Sequence, residues 1–341
     1  MASDVLDAAL DMLAPFGPEW TNGLSSHGPM AAETLLRMGR PDSVLPWTER
    51  YITHLDAAPP SAPALTAEEW PSALGTPNTY PAWLSLFRKE LSETTHADVI
   101  TRWTPILLPG LFGTACHGLL RAAHATRALT DHTSRQRVDE LARGLAYWAA
   151  YYEELPGHPV LAGPLSINDT LRLIDALELP GHDGWLIQDV LGSLPEVKGF
   201  PFAVESLGTT TLSEITVVFA HALIACDQSG AIAMVHSVTG PACLRMFLPY
   251  LPPEKHAVAI GTGWQAAAAL YFGWGGNGLA TIKSDEMEPP DIDELIDRAV
   301  ASADEHAIKL TEACLREHAI RPDAAYLYAA ASASERLRNP L

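Results

Sequence analysis

LSEITVVFAHALIACDQSGAIAMVHSVTGPACLRMFLPYLP, residues 212–252, holds two apolar runs separated by Asp227-Gln228-Ser229-Gly230. The four polar and small residues read as the turn of an antiparallel helix pair, with His221 and His236 at matching distances on either side of it. The same reading extends outward. Residues 85–97 and 136–154 repeat apolar positions at three and four residues, and alternating β-branched runs are almost absent. Breaks fall at 58–66, 75–81, 155–164, 179–184, 198–202, 250–255 and 284–291, none of them long enough for a domain linker. After Pro289 and Pro290 a final long helix is expected from about Ile292 to Glu317, with a short last helix after Pro322. The pattern predicts an all-α fold: one large multi-helix domain over residues 1–341, with any site enclosed between helices.

A chain of 341 residues, 48% apolar and 18% charged, can bury enough surface to fold without staples. Its net charge of -19 repels nucleic acid and anionic membrane surfaces, and no basic, aromatic-laced stripe overrides that field, so neither is expected as a partner. Cys116, Cys226, Cys243 and Cys314 sit singly in apolar runs and read as buried thiols, and the acidic N-terminal stretch does not read as a signal peptide. Both features lead to an expectation of a cytoplasmic protein. The apolar stretch 257–280 invites a membrane reading, but its six glycines, Gln265 and Asn277 suit a buried helix followed by a glycine-rich turn.

Several familiar chemistries lack their residues. There is no H-E-x-x-H, no pair of E-x-x-H motifs and no G-x-S-x-G. Gly261, Gly263 and Ala266 stand in G-x-G-x-x-A spacing with Asp285 further on, yet no set of parallel strands surrounds them to make a dinucleotide fold. Any metal would have to be held mainly by imidazoles, a donor set that suits iron, zinc or copper.

The 13 histidines divide by context. His96, His132, His158, His182, His256 and His318 lie in polar or loop surroundings and read as surface residues. Others lie on apolar faces, where a buried ring must satisfy both nitrogens. His117, Arg121 and His124 project from one side of a helix, as a solvated stripe or as part of a site. His221 and His236 are either a ligand pair or core histidines bonded to carbonyls. His306 and Lys309 share a helical face among Ile308, Leu310 and Cys314, where desolvation would lower the lysine pKa and expose a reactive amine.

Five ordered blocks then become informative together: SSHGPMAAETLLRMG (25–39), RWTPILLPGLFGTACHGLLRAAHATRAL (102–129), ELARGLAYWAAYYEELP (140–156), MVHSVTGPACLRMFLPYLP (234–252) and DEHAIKLTEACLRE (304–317). In that order, from about Leu24 to Glu317, the chain resembles the questin oxidase-like family. The resemblance implies Baeyer–Villiger-like oxidative opening of an anthraquinone-type ring, with dioxygen and NADPH as co-reactants. It also implies a mononuclear ferrous iron held by histidines and a carboxylated lysine. Carried over block by block, the ligands are His27, His117, His236 and His306 with Lys309, and His221 and His124 stand in reserve. Ser26 replaces the asparagine more common before the first of these histidines. On this reading Arg121 and His124 are catalytic candidates, and Trp103, Trp148 and Trp264 are expected to wall the pocket for an aromatic polyketide. Two alternatives remain beside it: a metal-free NADPH-dependent monooxygenase relying on Gly261 and Gly263, and a helical carrier of an aromatic polyketide. The oligomeric state is not encoded in any of these motifs.

Overall fold

A computed structural model of the chain describes residues 2–21, 23–181, 186–280 and 290–338. It is all-α: among the described residues there are seventeen α-helices and one two-stranded ribbon. Its contacts gather into two compact units, Met1–Glu154 with Met246–Leu251, and Leu155–Arg245 with Pro252–Pro340. His182, Asp285 and Pro289, each part of an expectation above, lie outside the described residues.

The first unit contains α1 (Ala2–Leu13), the antiparallel strands β1 (Glu19–Trp20) and β2 (Leu24–Ser25), α2 (Gly28–Arg37), α3 (Pro41–Tyr51) and α4 (Trp70–Ala73). It continues through α5 (Tyr80–Glu93), α6 (His96–Leu107), α7 (His117–Asp131) and α8 (Arg135–Ala150). Helices α7 and α8 form its centre, and glycines set how closely they approach. A Cβ on Gly118 would stand 2.4 Å from the Trp148 Cα, and one on Gly144 2.7 Å from the Ala122 Cα. Only hydrogen at these positions lets the two backbones meet. Helix α2 lies against α7, which brings the first residues of both helices into one neighbourhood.

The second unit contains α9 (Ile167–Asp175), α10 (Ile187–Leu191), α11 (Gly199–Glu205), α12 (Leu212–Ala225) and α13 (Ala231–Cys243). It is completed by α14 (His256–Trp274), α15 (Ile292–Ser302), α16 (Glu305–Ile320) and α17 (Ala324–Arg336). The expected hairpin is there: Gln228–Gly230 forms one 3-10 turn between α12 and α13, which pack together. Helix α13 is buried nearly all round, by α12, α14 and α16, which explains why its sequence has little amphipathic pattern. The run Gln228–Tyr250 is long and apolar enough to cross a membrane by length and composition, but 78% of its most apolar window is buried in protein. Stretch 257–280 is a buried helix followed by a turn, as expected.

Three local expectations are corrected. The single helix from Ile292 to Glu317 is two helices, because Ala303 takes a left-handed φ of 57° and the Asp304 carboxylate caps α16 by accepting from the His306 and Ala307 N–H groups. The break at 198–202 is the beginning of α11, whose Pro201 lies in the first turn where no N–H is needed. Tyr80, placed in a loop, opens α5.

Candidate functional site

In the first unit, His27 occupies the position before α2 and His117 is the first residue of α7. The backbone N–H of His27 donates to the Tyr51 hydroxyl at 2.7 Å, and Gly28 gives passage beside Leu13, whose Cδ2 would stand 2.4 Å from any Cβ there. Both imidazoles are buried, and their ring centroids are 4.6 Å apart at 65°. His117 Nδ1 is hydrogen-bonded to the Thr114 carbonyl. Because a carbonyl only accepts, Nδ1 carries a proton, which in the neutral ring leaves the lone pair on Nε2, one of the two nitrogens through which an imidazole can bind a metal.

Arg121 and His124 lie further along α7 and are committed elsewhere. Arg121 forks onto Glu140 of α8 at 2.6 and 3.0 Å. His124 Nδ1 stands 2.8 Å from Glu33, and Arg127 reaches the same carboxylate at 2.8 and 2.5 Å. Burial alone would push Glu33 up, but the Arg127 charge and the His124 and Arg127 hydrogen bonds hold it well below the usual carboxylate range. Burial acts against the Arg121 charge, and Glu140 more than offsets it. The cavity they line is about 10 Å³, room for one water and not for an aromatic ring. The expected catalytic pair therefore forms two buried braces, one tying α7 to α8 and the other tying α7 to α2. The second brace fixes the helix that carries His27 against the helix that carries His117.

The second unit brings together His236, His306 and Lys309. His236 Nδ1 donates to the Ile232 carbonyl one turn back at 2.8 Å, which again places the lone pair on Nε2. The His236 and His306 ring centroids are 5.4 Å apart at 75°. Lys309, one turn on from His306, is 2% exposed, and its Nζ has no hydrogen-bond partner. Burial pulls its pKa from 10.5 to about 8, against the attraction of Glu305, Cys243 and Asp304. An amine in that state is available as a nucleophile near neutral pH.

The sequence reading placed no acid at a ligand position, and here the structure adds two. The Asp304 and Glu305 oxygens lie 3.6 and 3.9 Å from His306 Nδ1, and the three donor atoms fall within 4.8 Å of one another. The signal available was Asp304 as helix cap, hidden by treating 292–317 as one helix.

His221 Nδ1 donates to the Ala280 carbonyl at 2.9 Å, the core-histidine alternative. Trp103 belongs to an aromatic cluster with Trp70, Trp83 and Phe87, and its indole N–H donates to Glu90. Trp264 packs on Phe219 and donates to the Val204 carbonyl. Both are core residues. Trp148 packs its backbone against Gly118, beside His117, and its buried indole N–H has no hydrogen-bond partner. Gly261 and Gly263 lie inside α14, and the space a Cβ would need is taken by the Pro159 carbonyl and Leu244. They serve helix packing, not a phosphate turn. All four cysteines are buried thiols. No protein-family model and no curated protein matches this chain.

Proposed function

We propose that this protein is an oxygenase that opens an anthraquinone-type aromatic ring by Baeyer–Villiger-like oxidation. It would act at a ferrous iron held by Lys309 and buried imidazoles, with His27, His117, His236 and His306 as the candidate donors. The observation that carries the reading is Lys309, a fully buried amine without a hydrogen-bond partner on the same helix face as His306. A lysine left so costs stability, and a protein keeps such a group where its chemistry is used.

The donor set fits the ion. Neutral imidazoles leave a divalent cation with its full charge in a dry interior, and an anionic donor beside them would offset part of it. Lys309 supplies such a donor as a carbamate: the Nζ lone pair forms a bond to the carbon of carbon dioxide, one proton leaves the nitrogen, and the carboxylate carries the charge. An iron held there would supply the electrons that dioxygen needs to react with an aromatic ring, with NADPH as the proposed external donor. The chain's own part is to hold imidazoles with the lone pair on Nε2, as the carbonyls of Thr114 and Ile232 do, and to exclude water by apolar packing. Trp148, with its indole N–H unpaired, is the aromatic residue best suited to face a substrate oxygen. A cytoplasmic setting is part of the same proposal.

The test is oxygen uptake with an anthraquinone, NADPH and iron-loaded protein, followed by mass analysis of the product. A product carrying added oxygen and lacking one ring supports the reading. Protein that binds the quinone tightly and never consumes oxygen overturns it in favour of a carrier.

A further inference from the structure

We propose that residues 114–116 are a positioning turn that presets the tautomer and direction of the His117 ring before any ligand arrives. Thr114, Ala115 and Cys116 all have positive φ, at 51°, 54° and 70°, the one run of three consecutive non-glycine residues in this region among the described residues. Each L residue there carries a steric cost that glycine would not. Such a cost persists only where the surroundings over-determine the backbone.

Here they do. Gly113 sits so tightly on α8 that a Cβ would fall 1.7 Å from the Tyr151 carbonyl oxygen. The Thr114 side chain donates to the Gly113 carbonyl at 2.7 Å and also engages the Tyr147 phenol. Tyr147 is itself held by the Ser25 hydroxyl at 2.6 Å and by Glu19 at 3.2 Å. The Tyr147 phenol of α8, itself tied to the β-ribbon, and the close approach to the Tyr151 carbonyl just beyond α8 thus hold the turn. What the turn delivers is one carbonyl, that of Thr114, aimed back at Nδ1 of the residue that starts α7. The same carbonyl accepts the His117 backbone N–H at 3.2 Å, so the left-handed turn closes on both the main chain and the ring of His117. Thr114 is therefore a positioning residue that acts through His117.

The inference rests on the metal reading only for its purpose, and the experiment separates the two. Long-range proton–nitrogen spectra of the metal-free protein at pH 8, with His117 assigned through His117→Gln, should show the proton on Nδ1 and the lone pair on Nε2. Ala115→Gly and Thr114→Gly relieve the backbone cost while keeping the carbonyl. Each should melt no more than a few degrees below the parent, or above it, yet bind Co²⁺ at least tenfold more weakly, the range expected when a ligand's outer partner is loosened. A wild-type ring protonated on Nε2 overturns the proposal, whatever the variants do. So do glycine variants whose tautomer and Co²⁺ affinity match the parent. A correct tautomer that the glycine variants scramble, in a protein that binds no Co²⁺ at all, upholds the turn's role and overturns the metal reading alone.

Discussion

Replacing Glu33 by Gln keeps the volume and removes one charge from the brace between α2 and α7. Glu33 is 3% exposed and carries Arg127 through two contacts at 2.8 and 2.5 Å and His124 through one at 2.8 Å. Gln can accept one of those bonds, but it removes the negative charge that faces the Arg127 guanidinium, 8% exposed. Breaking one side of a buried pair costs about 3–5 kcal/mol, so the folded-to-unfolded ratio should fall by roughly a hundredfold to several thousandfold. The pH dependence has a definite sign. The Glu33 pKa is lowered below its ordinary 4.5, so its stabilisation is complete above pH 4.5 and is lost as pH falls toward the folded value. Urea unfolding followed by tryptophan fluorescence, repeated from pH 7 to pH 3, should show a constant gap between wild type and variant above about pH 5 that closes below it. A loss under about 1 kcal/mol at pH 7, or a gap that ignores acid, would refute the claim that Glu33 is a charged brace.

Lys309→Met should stabilise the metal-free protein while lowering iron uptake. The fall from 10.5 to about 8 corresponds to about 3 kcal/mol, a gain present in full below pH 8 that vanishes as pH rises toward 10.5; melting curves at pH 7 and pH 10 check it. Incubation with ¹³C-bicarbonate should give a carbamate carbon signal that the same variant lacks, and bicarbonate-depleted buffer should lower iron occupancy of the wild type. Gly144→Ala should destabilise by about 1–3 kcal/mol in thermal melts, because its Cβ meets the α7 backbone at 2.7 Å and the two helices must part.

The helical class and the 212–243 hairpin were readable because long apolar runs, turn residues and the absence of strand alternation all agree. The interruption at Ala303 was not readable, since alanine is the best helix former and its left-handed φ is imposed by the cap that follows. Histidines at helix starts could be picked out from their apolar surroundings. What their neighbours do could not: Arg121 and Glu140 are 19 residues apart, and Glu33 and Arg127 are 94 apart, so the braces depend on packing that no local pattern carries. Trp103 and Trp264 show the same limit, because an aromatic residue on a helix has the same local sequence whether it faces a pocket or the core. Asp304 was overlooked because a cap is visible only once the helix boundary is known.

The central claim is that buried imidazoles and Lys309 hold an iron. Elemental analysis of protein expressed with iron and purified without chelator, alongside His117→Ala and His236→Ala, tests it most directly. The account predicts close to one iron per wild-type chain and a large loss in both variants. Wild-type protein without metal, or variants that retain the full wild-type iron content, would contradict it.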